Sequence, residues 1–243
     1  MARYYIGTSG WHYEDWRERF YPEKLPKANW LGFYSRYFST VELNNTFYRL
    51  PSEEAFARWY DSSPPDSIFA VKVSRYITHI KRLKDCEEAV DKFISRAKIL
   101  KKKLGPLLYQ LPPSLKRDDD RLAAFLAILP SRQKHVFEFR HPSWFAEEVY
   151  DLLRRHRAGF CIFDMPGLTS PQIATADFAY IRFHGRDSRY SSLYADKEMA
   201  EWAKKIAFLA KNLEDVYIYF NNDVQGHALD NSKTIRGYLE KEK

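Results

Sequence analysis

Glu42, Lys72, Glu138, Arg140, Arg182 and His184 share one property in this sequence: each lies within a short apolar run, on the parity that the apolar residues leave free. Side chains alternate across a strand, so if Val41 and Leu43 pack on one face, Glu42 and Asn44 take the other. The same reading sets Lys72 and Ser74 opposite Phe69, Val71 and Val73, and Glu138 and Arg140 opposite Phe137 and Phe139. It sets Arg182 and His184 opposite Ile181 and Phe183, and Gln110, Asp164 and Asn221 are placed with them. The set holds three acids (Glu42, Glu138, Asp164), three bases (Lys72, Arg140, Arg182) and one histidine. Arginine offers a planar fork that fits phosphate or carboxylate, and histidine titrates nearest neutrality, so anion binding and general acid–base work are the chemistry these types could do. A set balanced in charge could instead close on itself as a salt-bridge core. Because apolar filling is often as stable as a buried ion pair, a polar filling points to a functional cleft.

These residues must be positioned by the runs that carry them. Eight runs, Tyr5 to Ser9, Val41 to Thr46, Ile68 to Ser74, Leu107 to Gln110, Val136 to Arg140, Phe160 to Asp164, Ala179 to His184 and Val216 to Asn222, each close on a polar or charged residue. Helix-patterned segments separate most of them: Asn29 to Phe38, Ser52 to Tyr60, Val90 to Leu104, Leu122 to Leu129, Ser143 to Arg155, Met199 to Leu213 and Gly226 to Leu239. This is the pattern of a single α/β domain over residues 1–243, a (β/α)8 TIM barrel, with its chemistry at the carboxyl ends of the strands. The sixth connection, Met165 to Asp177, is short and proline-bearing and predicts a reduced crossover; long loops at Gly10 to Ala28 and Gly185 to Ala195 fall at the mouth.

The formal net charge is +7, and the stretch Lys72 to Lys103 carries eleven Lys and Arg against four acids, an excess equal to the whole. Such clustering is the footprint of an anionic partner, a small molecule or a nucleic acid. Helical spacing assigns Lys98 to Lys103 to a solvated face, whereas Arg75, Lys81 and Arg82, in the loop after the third strand, are candidates for nucleic-acid contact. Two cysteines are too few for a disulfide framework, and no apolar stretch is long enough for a bilayer, so a cytoplasmic protein without membrane association is expected.

Seven segments, GTSGW (Gly7 to Trp11), VELNNTFYRLP (Val41 to Pro51), ITH (Ile77 to His79), YQLPPSL (Tyr109 to Leu115), EFRHPSW (Glu138 to Trp144), YIRFHG (Tyr180 to Gly185) and YFNND (Tyr219 to Asp223), resemble the YecE-like family, domain of unknown function 72. The resemblance runs from first strand to last. It implies a TIM barrel and a cytosolic prokaryotic protein, and it assigns no catalytic role to Glu42, Asn44, Thr46, Gln110, Glu138, Arg140, His141, Arg182, His184, Asn221 or Asn222, which fit its motifs.

Three functions follow from these residues. The first is a hydrolase of a phosphate-bearing substrate, nucleic acid included, in which Glu138 or His184 is the base, Glu42 a second acid–base group, and Lys72, Arg140 and Arg182 hold the anion. Gln110, Asn44, Asn221, Asn222, Trp11 and Tyr48 complete its substrate-binding set, with aromatic rings available for stacking bases. The second is a divalent-metal sugar isomerase or hydrolase with Glu42, Glu138, Asp164 and His184 as ligands. It ranks lower, because interior bases compete for those carboxylates, and no cofactor is otherwise implied. The third is a barrel that binds nucleic acid or an anion without turnover. Asn221 and Asn222 could equally be an ordinary strand exit, and oligomeric state is left open.

Overall fold

A computed structural model describes residues 2–186 and 190–242. Among the described residues nine strands form: β1 (Arg3–Thr8), β2 (Thr40–Leu43), β3 (Ile68–Lys72), β4 (Leu104–Gln110), β5 (His135–Glu138), β6 (Gly159–Met165), β7 (Leu168–Thr169), β8 (Phe178–Phe183) and β9 (Asp215–Phe220). Apart from β7 they are parallel, hydrogen-bonded in the order β1-β9-β8-β6-β5-β4-β3-β2. The ring is nearly closed by one parallel bridge between Ser9 and Glu42, beside Gly7. A Cβ on Gly7 would stand 2.2 Å from the Thr40 carbonyl oxygen, so any side chain there would push β1 off β2.

Around the strands lie α1 (Trp30–Tyr34), α2 (Asn45–Tyr48), α3 (Glu53–Asp61), α4 (Glu87–Ala97), α5 (Asp119–Ala127), α6 (Glu147–Arg155), α7 (Asp196–Ala210) and α8 (His227–Lys241). Two of their starts show side-chain capping. Ser52 accepts the amide of Ala55 and Asp118 that of Arg121, each followed by two acids that suit the positive helix end.

The sixth connection has no helix. Pro166 and Gly167, the latter at φ +77°, turn β6 back into β7, and an extended segment leads on to β8. Two expected helices and one expected strand run are shorter. Residues 27–38 contain only α1 after a 3-10 turn, the second run ends at Leu43 and turns into α2, and residues 142–155 divide into a 3-10 turn and α6. That last break forms where the Trp144 indole is tied to the Leu115 carbonyl at 2.7 Å.

The solvated face expected for Lys98 to Lys103 holds at Lys98, Lys101 and Lys102, which are exposed, and is corrected at Lys103. α4 stops at Ala97, Lys101 takes φ 48°, and the chain doubles back so that Lys103 is 3% exposed. Its ammonium donates to the carbonyl and hydroxyl of Ser63 at 2.7 and 2.9 Å and also to the Tyr60 carbonyl. Lys103 is thus a buried tether between two connections, not part of a basic surface.

Hydrophobic residues divide between two layers, as alternation requires. Phe69, Val71, Leu107, Phe137, Phe139, Ile162, Ile181 and Ile218 pack outward against helices. Ala70, Leu108, Val136, Cys161, Phe178, Tyr180, Tyr217 and Tyr219 fill the inside of the barrel from below. The charged residues complete that inner column above them.

Candidate active site at the barrel mouth

Four inward residues form one chain of ion pairs across the barrel. Arg182, fully buried on β8, gives Nε to Glu42 Oε2 at 2.9 Å and Nη2 to Glu42 Oε1 at 2.7 Å, and turns Nη1 to Glu138 Oε2 at 2.5 Å. Glu42 also accepts Ser9 Oγ at 2.7 Å and Tyr180 OH at 2.6 Å. Each of its oxygens therefore has two donors, which is what makes a carboxylate tolerable at zero exposure. Glu138 meets Arg140 through its other oxygen, Oε1. Burial alone would raise the Glu138 pKa, but the Arg140 and Arg182 guanidiniums outweigh it and hold the carboxyl well below its usual range.

His184 closes the upper end. Its Nε2 lies 2.9 Å from Arg140 Nη2 and 3.3 Å from Arg182 Nη1, and guanidinium can only donate, so Nε2 is an acceptor. The proton of the neutral ring is then on Nδ1, 3.0 Å from the Asn221 side-chain amide, which must turn its oxygen to receive it. Burial, then the two arginines, hold the His184 pKa well below that of a free imidazole. Arg140 is the member of the set that reaches the rim: its side chain retains 10% exposure, and its guanidinium lies 4.8 Å from the Phe163 ring centre.

Lys72 differs from both arginines. It is half-buried at the end of β3, its ammonium lies 4.3 Å from the Phe47 ring centre, and among the described residues it has no carboxylate partner. Burial, with Arg182 adding, pushes its pKa down to about 8 against the opposing pull of Glu138 and Glu42. Gln110 stands on the same rim, its amide donating to the Leu111 carbonyl at 3.0 Å, and the Asn44 amide oxygen is buried without a partner among the described residues.

Other sequence candidates lie elsewhere. Asn222 takes the parity opposite to Asn221 and donates to Ser192 O and Asn231 Oδ1, both at 2.9 Å, so it joins α8 to the loop between β8 and α7, outside the cup. Trp11 packs edge-on to Trp59 at 5.9 Å; Tyr48 is 73% exposed on the outer rim. Arg75 is exposed before a single π-turn, Tyr76–Ile80, while Lys81 donates to the Asp85 carbonyl at 2.9 Å and Arg82 to Ser114 Oγ at 3.1 Å.

Asp164 is corrected: it shares its parity with Phe160 and Ile162, points out of the barrel, and accepts Thr169 Oγ1 at 2.6 Å across the β6–β7 turn. Phe163 holds the inward place instead, because the β6 alternation is set by Cys161, which faces in. The metal-ligand set Glu42, Glu138, Asp164 and His184 therefore does not converge. Guanidiniums fill the two glutamates, and no group of three His, Cys, Asp or Glu among the described residues could hold a cation.

Sequence reasoning passed over Ser9, Tyr180 and Asp223, and took Tyr13 only as a loop ring that could stack a base. Ser9 and Tyr180 were findable by alternation, since they lie on the inward parity of β1 and β8. Asp223 lies inside the YFNND motif but reads there as an ordinary strand exit.

A parallel eight-stranded barrel with its ionisable residues at the carboxyl ends of the strands is a TIM-barrel-like protein, a class that commonly carries enzymes. Within that class, the chain belongs to the family described as protein of unknown function DUF72, which matches residues 5–243. It is 27% identical to the UPF0759 protein YunF of Bacillus subtilis (strain 168) over 97% of this chain and 94% of that one. It is 33% identical to the UPF0759 protein YecE of Escherichia coli (strain K12) over 59% of this chain and 50% of that one. Among solved structures, a DUF72 family protein of Thermotoga maritima MSB8 superposes with TM-score 0.89 at 34% identity, covering 98% of this chain and 99% of that one. No helix among the described residues is long and apolar enough to cross a membrane.

Proposed function

We propose that the mouth binds the phosphate group of an anionic ester and hydrolyses it. The observation that carries this reading is Lys72: two guanidiniums in the same cup are matched by two carboxylates, and the lysine has no carboxylate partner among the described residues. A half-buried ammonium lacking a counter-charge is costly, and a bound anion would supply one. Lys72 and Arg140 would hold phosphate oxygens. The anion would also offset the positive field that lowers the proton affinity of His184, and movement of Arg140 toward it would free Nε2 to accept a proton from the attacking water. Glu42 and Glu138 serve here to aim Arg182 and Arg140, because their oxygens are already taken by guanidinium and hydroxyl donors.

Titration with inorganic phosphate and hydrolysis of bis(p-nitrophenyl) phosphate and p-nitrophenyl phosphate test this. Binding that Lys72→Met weakens by about 10- to 100-fold, the range of one charge-assisted hydrogen bond, and turnover that phosphate inhibits are expected. Absence of both in the wild-type protein sinks the reading.

A nucleic-acid strand is the phosphate carrier we favour, on a specific feature of the rim. Tyr48, in the connection after β2, and Tyr76, next to Arg75 in the connection after β3, expose 73% and 47% of their surfaces, and exposed rings with positive charge are what stacks bases and tracks a backbone. Competition between a short single-stranded oligonucleotide and phosphate tests it; binding unaffected by Tyr48→Ala together with Tyr76→Ala removes it.

A further inference from the structure

We propose that the Asp223 carboxyl, seated beside Tyr13 just past the end of β9, is the proton donor to the leaving-group oxygen of the ester; this rests on the hydrolytic reading above. Asp223 lies two residues beyond Asn221, the partner of His184, and is 9% exposed. Its Oδ1 is buried with no hydrogen-bond partner among the described residues. No cation pairs with it there, so an ionised carboxylate would be left largely uncompensated.

The proton inventory around it points the same way. Tyr13 faces the Asp223 carboxyl, but the phenol has one proton, and its hydroxyl donates at 2.5 Å to the Ser9 carbonyl. With that proton spent on Ser9, Tyr13 gives the Asp223 carboxyl no donor, and an ionised Asp223 would gain no hydrogen bond from it. The charged and titratable groups around Asp223 include Tyr13 and Asp15 from the loop after β1, Tyr34 from α1, Glu42 from β2 and Arg182 from β8. Burial pushes the carboxyl well above its ordinary range; Glu42 and Asp15 add to that, Arg182 opposes it, and Tyr13 would oppose it only by turning its proton away from the Ser9 carbonyl. Arg182 is committed to Glu42 and Glu138. Trp16 Nε1 fixes the main chain here by donating to the Asp223 carbonyl at 2.9 Å.

In the step assigned, water adds to phosphorus and the bond from phosphorus to the ester oxygen breaks. The electron pair of that bond stays on the leaving oxygen, which takes the Asp223 proton and departs as an alcohol. The proton lost by the attacking water goes to His184 Nε2, and returns through solvent to Asp223 after release. No oxidant or further reactant is needed.

Asp223→Asn keeps the shape and removes the transferable proton. A p-nitrophenolate leaves without protonation and an alkoxide does not, so the variant should keep p-nitrophenyl phosphate turnover within about threefold while losing about 100-fold or more on an alkyl phosphate. Equal losses on both esters overturn the assignment. Infrared difference spectra, wild type minus Asp223→Asn at pH 7, should contain the carbonyl stretch of a protonated carboxylic acid, and Tyr13→Phe should shift it; a missing or unmoved band overturns the proposal without reference to turnover. If the wild-type protein cleaves neither ester, the hydrolytic reading and the donor role that depends on it both fail, whatever the infrared result.

Discussion

Arg182 and Glu42 meet fork to fork, Nε to Oε2 at 2.9 Å and Nη2 to Oε1 at 2.7 Å, with neither side chain more than 1% exposed. The pair bridges β8 to β2 across the inside of the barrel, and β2 is held to β1 by the single Ser9–Glu42 bridge. The ion pair thus spans the weakest seam of the sheet. Arg182→Met should lower stability by about 3–5 kcal/mol, because it leaves Glu42 and Glu138 buried without their shared cation. Adding Glu42→Gln should recover part of that loss. Urea unfolding of the two single variants and the double variant checks this; additive losses would show that the pair does not couple the strands.

Acid should weaken the fold through His184 before it does so through Glu138. The folded pKa of His184 is depressed, so the unfolded chain binds the proton more readily; stability falls as pH drops below about 6.5, at up to about 1.4 kcal/mol per pH unit. His79, brought down to about 4 chiefly by burial, adds to the same window. Glu138 is also depressed, and its contribution is present above about pH 4.3 and lost only as pH falls toward its lower folded value. Unfolding free energies at pH 7 and pH 5 should differ less in His184→Gln than in the wild type. An unchanged difference would mean that the imidazole is not buried in its neutral form.

Phosphate affinity should fall as pH rises through about 8, because the Lys72 ammonium of the free protein loses its proton there. Lys72→Arg, with a guanidinium that stays protonated, should move this limb out of range even if its affinity is lower. Calorimetric titrations between pH 6.5 and 9.5 separate the two. A limb that survives the arginine substitution would assign the titration to another group.

The loop after β3 should govern salt dependence rather than chemistry. Replacing Arg75, Lys81 and Arg82 by alanine should flatten the dependence of oligonucleotide affinity on salt by about one unit of slope for each phosphate that is no longer neutralised. Lys81 and Arg82 already bond to Asp85 and Ser114, so Arg75 alone should account for most of the change. Fluorescence anisotropy at several salt concentrations provides the test. Equal effects from all three would show that the internal partners are surrendered on binding.

The order of eight parallel strands, the reduced sixth crossover and the inward placing of Glu42, Lys72, Glu138, Arg140, Arg182 and His184 were all legible in the sequence, because a period-two alternation is a local property that survives folding unchanged. Only the tertiary structure decided which charges meet. Arg182 finds Glu42 from 140 residues away, and Lys72 finds no carboxylate at all among the described residues. Asp164 left the cup because the phase of β6 is fixed by which of its faces packs on the helices, and Lys103 left the surface because one left-handed residue reversed the chain. Asp223 carried no local signal. Its environment is built by Tyr13, Glu42 and Arg182 from three other parts of the chain, and burial at a point where separate elements converge does not exist until they have converged.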